Sequence, residues 1–309
     1  MQAPELLGPA ISAPADGVMD RVRAYVNLAK PHVTMLLLAI TVTTMIVARQ
    51  GVPSLGLILA TLVGGALAAA SANAINCYVD RDIDGVMGRT RRRAVPTGRI
   101  EPVRALIFGA LAAVGSMLVF LAFVNLLSGL LALSGILFYV LVYTLWLKRS
   151  TPQNIVIGGA AGGVPVLVGW AAVSHTVTWP AVILFLIIFL WTPPHFWALS
   201  LLIKRDYERA GVPMLPIVKG DAEAHRQILL YTFALVMVTL LLVQLKALGF
   251  VYLVAALALG APLIYLSLRL FWSTVASTDA ARWANRLFWY SNSYLALLFA
   301  AMAVDRLIR

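Results

Sequence analysis

The sequence predicts an all-α, polytopic membrane protein, and two observations lead to that prediction. Hydrophobic residues make up 61% of the 309 residues and charged residues only 12%, whereas an ordinary soluble domain is about a quarter charged. The apolar residues also come in long unbroken runs, and a run of about 20 residues crosses a bilayer as one helix. A β-barrel would instead require short strands of alternating polarity.

Nine hydrophobic segments are candidate transmembrane helices. They cover residues 33–49, 54–80, 102–122, 124–147, 153–173, 179–203, 227–247, 250–271 and 284–304. Before the first of them, apolar residues recur on one helical face between 21 and 30, which predicts a short interfacial helix ending near Pro31. Residues 1–20 resemble a loose tail in composition, so we expect residues 21–309 to form a single transmembrane domain.

The basic residues orient the predicted helices. With a cytoplasmic N-terminus, 20 of the 24 Lys and Arg residues fall in cytoplasmic segments, as the positive-inside rule requires. The net charge of +11 therefore reports topology, and we do not expect binding to nucleic acid. An odd number of spans places the C-terminus outside. No transit segment or signal peptide is recognisable, which favours a bacterial inner (cytoplasmic) membrane.

The first long cytoplasmic loop begins with a spaced set of polar side chains. Asn76, Asp80 and Asp84 follow one another at intervals of four residues and share a helical face, while Asp82 points elsewhere. Oxygen ligands of this kind suit Mg²⁺. Several arginines follow directly, and one guanidinium group can bind two phosphate oxygens through parallel hydrogen bonds. The stretch predicts a metal and diphosphate site, although loop charges that only set topology would also fit.

Two further segments reach the same predicted membrane face. Asp206 closes the sixth span and is a candidate ligand for a second metal ion, or the partner of a local ion pair. Lys148 and Arg149 end the fourth span, where cations at a cytoplasmic boundary often serve topology alone. Asn154 opens the fifth span. We therefore expect the two long loops, about 81–101 and 204–226, to carry the function.

These stretches resemble motifs of the UbiA superfamily of intramembrane prenyltransferases. The resemblance covers about residues 25–300 and rests on "NCYVDRDIDGVMGRT", "KRSTPQNIVIGGAAGGVPVLVGW" and "WTPPHFWALSLLIKRDYERAGVPMLP". The run "TPPHFWAL" is similar to the branch of that family that farnesylates haem. Two departures are visible: Ala210 stands where many members have a second aspartate after Asp206, and Ala94 stands where we expect proline.

The resemblance implies a fold, a reaction and a set of site residues. Nine helices would surround a central chamber capped by cytoplasmic loops. Farnesyl diphosphate, haem b and water would give haem O and diphosphate, with a pair of Mg²⁺ ions. Haem A synthase or a terminal oxidase assembly would be a partner downstream. The implied metal ligands and catalytic residues are Asn76, Asp80, Asp84 and Asp206, and the diphosphate-binding residues are Arg89, Arg93, Lys148 and Arg149.

Residues for the haem or the prenyl chain are expected near the same site. His195 lies inside the sixth span after Pro193 and Pro194, and ionisable residues within a membrane are candidates for function. It would contact the haem, or else make a hydrogen bond between helices. Tyr143, Tyr207 and Asn154 are the other candidates, and the tyrosine faces could stabilise an allylic cation or belong to an interfacial aromatic belt.

Two other functions remain open from the sequence. A UbiA-type enzyme that prenylates a quinone or chlorophyll precursor would share the first motif, although the "TPPHFW" run favours haem. A membrane transporter is a more remote alternative. It would require buried charges in the middle of the spans and functional residues on both membrane faces, whereas the charges here gather on one face.

Overall fold

A computed structural model describes residues 17–275 and 277–309, and this part of the chain is helical without any strand. Its helices are α1 (Val18–Leu28), α2 (Pro31–Arg49), α3 (Leu55–Val79), α4 (Arg81–Val86), α5 (Pro102–Phe123), α6 (Leu126–Leu137), a π-helix (Phe138–Leu147), α7 (Lys148–Ser150), α8 (Asn154–Ser174), α9 (Trp179–Leu202), α10 (Lys204–Arg209), α11 (Leu215–Val218), α12 (Asp221–Gln244), α13 (Phe250–Trp272) and α14 (Thr278–Ile308).

Within the described residues, nine helical segments are long and apolar enough to cross a membrane, as predicted. The largest differences from the predicted bounds lie at the last segment, which begins at Thr278 instead of 284, and the seventh, which begins at Asp221 instead of 227. Both helices start with polar turns, which a hydrophobic pattern does not include. The predicted tail, 1–20, lies mostly outside the described residues, but α1 begins at Val18.

The outer surface of the bundle is apolar, unlike that of a soluble protein. Large apolar side chains are more than half exposed along several helices, among them Leu111, Phe123, Leu257 and Trp272. In membrane proteins, apolar patches of this kind are covered by lipid. Polar residues such as Thr44, Ser116 and Thr232 instead turn inward, and Thr44 and Thr232 bond to carbonyls of the preceding helical turn. The chain is therefore a multi-pass membrane protein.

The connectivity brings the two long loops to one end of the bundle. Successive spans run in opposite directions, so the C-terminal ends of α3 and α9 lie at the same end as the N-terminal end of α12. The π-helix Phe138–Leu147 reaches that end as well. A π-helical turn widens the local register and is common at functional sites. Here it places Tyr143 and Thr144 beside the end of α3.

Candidate active site

The site is built around the end of α3, where the helix turns into α4 without losing its hydrogen bonds. Asp80 interrupts the helical dihedral angles, but its amide still donates to the Asn76 carbonyl at 2.8 Å. The amide of Asp84 donates in turn to the Asp80 carbonyl at 2.7 Å. Asn76, Asp80 and Asp84 therefore keep the common face that their spacing predicts. Their side chains are almost completely enclosed, at 3%, 0% and 2% exposed.

Asp80 is the centre of a network that joins three segments of the chain. Its Oδ2 accepts a hydrogen bond from Asn76 Nδ2 at 2.7 Å, and the same oxygen forms an ion pair with Lys148 from the end of the fourth span. Asn76 Nδ2 also donates to Thr144 Oγ1 at 3.2 Å. Removing a carboxylate from water is costly unless cations and donors compensate it, and Lys148 and Asn76 provide that compensation.

Lys30 completes this network, and sequence reasoning missed it as a site residue. Its Nζ donates to Asn76 Oδ1 at 3.2 Å. Lys30 connects α1 to α2 with a φ of 49°, a value that non-glycine residues rarely adopt and that often marks a functional constraint. The desolvation that accompanies partial burial lowers the pKa of Lys30 to about 8. Only its position beside Pro31 at the predicted mouth of the first span could have suggested such a role.

Asp84 is held by a different cation. Both of its carboxylate oxygens accept from Arg93 Nη1, at 2.9 and 2.8 Å. The Thr90 hydroxyl donates to the Asp84 carbonyl at 3.0 Å and fixes the loop between them. The neighbouring Asp84 carboxylate raises the pKa of Arg93 against the opposing effect of burial, so Arg93 remains charged. The first loop therefore folds its own arginine back over the buried aspartate.

Asp82 lies on the outer side of the same turn, as the spacing predicts. Its side chain is 61% exposed and accepts two hydrogen bonds from Arg149, both 2.8 Å long. The hydrogen bonds from Arg149 lower the pKa of Asp82 to about 2. The Nη2 atom of Arg149 also lies 3.6 Å from Asp80 Oδ1. Arg149 thus connects the exposed acid to the edge of the buried network.

The second long loop meets the first at Asp206. A Cβ atom built on Gly88 would stand 3.3 Å from Asp206 Oδ2, so the backbone of the first loop lies directly against this carboxylate. Asp206 pairs with Arg209 at 3.1 Å within its own helix. Tyr207 is buried, and burial raises the pKa of its hydroxyl while nearby Arg89 opposes that rise. Glu208 is exposed and does not supply a second buried carboxylate.

Asn154 and Tyr143 border the same region. Asn154 is fully buried at the start of α8, where its Nδ2 donates to the Thr151 carbonyl at 2.7 Å and lies 3.5 Å from the carbonyl of Pro213 in the second loop. Its Oδ1 is buried without a hydrogen-bond partner among the described residues. Tyr143 packs on the cluster that contains Tyr207, and its ring centroid lies 5.4 Å from that of Tyr139.

His195 is fixed by neighbours from two helices. Its ring stacks on Trp191 at 4.3 Å and on Phe288 at 4.7 Å, and Nδ1 lies 2.8 Å from the Ser291 hydroxyl of α14. Trp191 Nε1 also donates to the Ser291 carbonyl at 2.8 Å. The hydrogen bond between helices that the sequence left as an alternative is therefore present. No hydrogen bond occupies Nε2 among the described residues.

The donor set fits a hard divalent cation shared with a phosphate ligand. No group of three or more His, Cys, Asp or Glu side chains stands in ligand geometry within the described part of the chain. However, Asp80 Oδ1 is completely buried and accepts no hydrogen bond there. Mg²⁺ commonly takes one or two carboxylates and completes its shell with waters and phosphate oxygens. Asp80, Asp84 and Asp206 offer such carboxylates beside Arg89, Arg93 and Lys148.

The site and the helical bundle agree with one family. The model of the UbiA prenyltransferase family matches residues 36–292, and the chain belongs to that family. A protein from Gloeobacter violaceus named protoheme IX farnesyltransferase is 54% identical over 281 residues, which cover 91% of this chain and 91% of that protein. One of the same name from Symbiobacterium thermophilum is 52% identical over 284 residues, or 92% and 94% of the two chains.

Solved structures confirm the predicted fold class. A structure described as concerning digeranylgeranylglyceryl phosphate synthase in membranes aligns with a TM-score of 0.77 over 94% of this chain and 100% of that chain, at 20% identity. A UbiA homologue from Archaeoglobus fulgidus, bound to DMAPP and Mg²⁺, aligns with a TM-score of 0.60 over 91% and 99%, at 16% identity. At these identities the likeness extends to the fold alone.

Proposed function

We propose that the protein is a Mg²⁺-dependent protohaem IX farnesyltransferase. It transfers the farnesyl group of farnesyl diphosphate to a vinyl group of haem b, with addition of water, and releases haem O and diphosphate. Two curated relatives more than 50% identical over nearly their whole length carry that name. The observation in the structure that carries the proposal is the buried Asp80, compensated by Lys148 and Asn76 at the meeting point of the two loops.

The reaction begins with departure of diphosphate, which these residues would assist. Asn76, Asp80, Asp84 and Asp206 would hold divalent ions, which would neutralise charge on the diphosphate. A structure of a UbiA homologue from Archaeoglobus fulgidus is described as bound to DMAPP and Mg²⁺. Arg89, Arg93, Lys148 and Arg149 add hydrogen bonds to phosphate oxygens. The bond between the allylic carbon and oxygen breaks, and both electrons leave with diphosphate.

The chain then protects and directs the allylic cation. Its first carbon bonds to the terminal vinyl carbon of haem, and water adds to the cation that remains beside the ring and gives up one proton. The apolar bundle excludes bulk water until that step. Tyr143 and Tyr207 place aromatic rings near the loops, where they stabilise positive charge. Asn154, with its unpartnered buried Oδ1, is the polar group available to position a substrate or a water molecule.

His195 is the candidate haem contact. The stacking of its ring between Trp191 and Phe288 and the bond from Nδ1 to Ser291 fix its orientation. With Nδ1 engaged, Nε2 is the nitrogen available to haem iron or to a polar group of the macrocycle. A histidine that served packing alone would leave haem-dependent turnover unchanged when replaced by an aromatic residue of similar size.

The charge distribution supports an N-terminus in the cytoplasm and a C-terminus outside, and the proposed location is a bacterial inner membrane. The proposed site then faces the cytosol, where farnesyl diphosphate is water-exposed at its charged end and lipid-soluble at the other. Haem O released into the bilayer would pass to haem A synthase or to a terminal oxidase assembly. A transporter finds no support, because the candidate residues gather at one end of the bundle.

The test uses membranes that contain the wild type or Asp80→Ala, supplied with haem b, farnesyl diphosphate and Mg²⁺. Mass spectrometry of the extracted haem is expected to show the gain of one farnesyl group and one water in the wild type only. Glu101→Ala is the matched control, because Glu101 is an exposed acid at the same end and, among the described residues, pairs only with Arg104. Diphosphate release with a quinone precursor, and none with haem, would move the protein to the aromatic prenyltransferases.

A further inference from the structure

Two arginines from the last two spans meet on one tryptophan ring, and none of the three belongs to the candidate active site. The guanidinium carbon of Arg269, in the last turn of α13, lies 4.7 Å from the centroid of the Trp283 ring. The guanidinium carbon of Arg286, on α14, lies 4.8 Å from the same centroid. The two carbons are therefore at most 9.5 Å apart, which is the sum of these distances.

The tryptophan is a fixed platform for the two cations. Trp283 is buried, and the Tyr265 ring meets it edge to face at 6.3 Å. The Tyr290 hydroxyl of α14 donates to the Leu259 carbonyl of α13 at 2.9 Å and ties the two helices together. An aromatic face attracts a cation. The ring therefore holds guanidinium groups from both helices close to one another.

The charge of this pair is not compensated within the described part of the chain. Arg269 and Arg286 are both exposed, and neither donates a hydrogen bond or forms an ion pair with a residue that the structure describes. Asp279, one turn before Trp283, pairs with neither of them, and Arg282 adds a further exposed cation. Neighbouring cations repel each other, and an anion between them reduces that repulsion. A phosphate group fits best, because guanidinium groups bind its oxygens through parallel hydrogen bonds.

The pair faces away from the proposed haem contact. Phe288 and Ser291 of α14 contact His195. With 3.6 residues per helical turn, Arg286 is turned from these two residues by about 140–160° around α14. A phosphate bound at Arg286 is therefore on another side of the helix from His195, and it serves neither the haem nor the carboxylates of the first loop.

Exposed aromatic side chains beside the arginines indicate a lipid. Tyr265 and Trp272 stand four residues before and three residues after Arg269, and Trp289 stands three residues after Arg286, so each lies one helical turn away. They are 51%, 69% and 64% exposed. Exposed Trp and Tyr side chains are typical of the headgroup level of a bilayer. A soluble anion would need no apolar surface, whereas a phospholipid needs both a phosphate site and an apolar path for its chains.

We propose that Arg269, Trp283 and Arg286 bind the phosphate group of an anionic phospholipid, whose acyl chains lie along Tyr265 and Trp289. The site is at the proposed cytoplasmic end of the bundle, and basic pockets between helices at that face suit anionic headgroups. A zwitterionic lipid would also bring an ammonium group, which the two arginines repel. The bound lipid joins α13 to α14 and stabilises the packing of the last two spans.

The test titrates phosphatidylglycerol or phosphatidylcholine into the purified full-length protein in a neutral detergent and follows thermal unfolding. A ligand that binds only the folded chain raises its Tm as the ligand concentration exceeds Kd. We expect phosphatidylglycerol to raise the Tm more than phosphatidylcholine does. In Arg269→Gln/Arg286→Gln, at least about tenfold more phosphatidylglycerol should be needed for the same rise, because charge-assisted hydrogen bonds are lost.

Arg21→Gln/Arg23→Gln is the matched control. Arg21 and Arg23 are exposed on α1, which precedes the first span at the same end of the bundle. The control removes the same charge without touching Trp283, so it should respond to phosphatidylglycerol as the wild type does. An equal loss in the control would reduce the effect to general attraction between basic residues and anionic lipid and would overturn the proposal. Equal stabilisation of the wild type by phosphatidylcholine, or by inorganic phosphate alone, would overturn it as well.

Arg269→Lys/Arg286→Lys keeps both charges and separates lipid recognition from a loss of fold. An ammonium group binds phosphate as a point charge and lacks the planar donors of arginine. This variant should unfold like the wild type in detergent alone and still need more phosphatidylglycerol. Native mass spectrometry of the same samples should show one phosphatidylglycerol fewer on both arginine-pair variants than on the wild type and the control. Retention equal to that of the wild type in the lysine variant would show that charge alone is sufficient and would refute a guanidinium site.

Discussion

The ion pair between Asp80 and Lys148 allows structural and catalytic roles to be separated by a double-mutant cycle. Asp80 is fully buried, and the Lys148 side chain is only 14% exposed. We consider Asp80→Asn, Lys148→Met and the double variant. Each single change leaves one buried charge without its partner, whereas the double change removes both charges. If the pair served structure alone, the double variant would recover what the single variants lose.

The expected magnitude follows from the burial of the pair. Breaking a buried ion pair by removing one partner costs about 3–5 kcal/mol of folding free energy. The lower value applies to Asp80→Asn, because Asn76 Nδ2, 2.7 Å from Asp80 Oδ2, can still donate to an amide oxygen. At roughly 2–4 °C per kcal/mol, either single variant should unfold at least about 5 °C below the wild type. The double variant should recover at least half of that loss.

Activity should respond differently from stability. The assay is haem O formation in nanodiscs, alongside thermal unfolding of the same samples. We expect all three variants to lose activity by about a hundredfold or more, since removal of one transition-state donor costs about 10²–10³ in rate. Recovery of stability without recovery of activity would identify both residues as part of the reacting site. A double variant with near wild-type turnover would refute the reasoning and make the pair purely structural.

Three further predictions test other parts of the molecule. His195→Phe keeps an aromatic ring but loses the hydrogen bond to Ser291. Haem O formation should fall about tenfold or more, because a charge-assisted or metal contact to the haem is lost. A change in Tm without loss of activity would identify His195 as a packing residue. Asp305 accepts hydrogen bonds from the amides at the start of α13 at 2.7 and 3.0 Å. Asp305→Ala should therefore lower the unfolding free energy by about 1–2 kcal/mol and leave kcat unchanged, whereas a loss of kcat would contradict a purely structural role. Because the pKa of Lys30 is lowered to about 8 from 10.5, the unfolded chain binds more protons between these values, and stability should rise over that pH range in the wild type but not in Lys30→Met.

The sequence alone was sufficient to predict the helices and the contacts between residues of one helix. Long apolar runs predicted the nine spans, because crossing a bilayer requires about 20 apolar residues. The four-residue spacing predicted the shared face of Asn76, Asp80 and Asp84. The polar first turns of α12 and α14 escaped detection because hydrophobicity identifies the part of a helix in lipid and not the helix itself.

Contacts between distant segments were less predictable. Lys148 was a candidate for binding diphosphate, but its pairing with Asp80 joins residues 68 positions apart, and no spacing rule relates such positions. Thr144 and Lys30 were missed for the same reason. Arg149 was also placed with the phosphate ligands, whereas in the structure it mainly holds the exposed Asp82. Its role toward diphosphate remains a prediction.

The pairing of every candidate carboxylate with a cation has a physical consequence for substrate binding. Asp80, Asp84 and Asp206 are paired with Lys148, Arg93 and Arg209 respectively. If a diphosphate binds here with divalent ions as proposed, the carboxylates would turn to the metal while Lys148 and Arg93 would turn to phosphate oxygens. Each buried charge is then compensated both before and after binding, so the desolvation cost that penalises isolated charges at a membrane boundary never falls on one residue alone. A site built only from carboxylates would repel itself before the metal arrived, and one built only from cations would lack metal ligands.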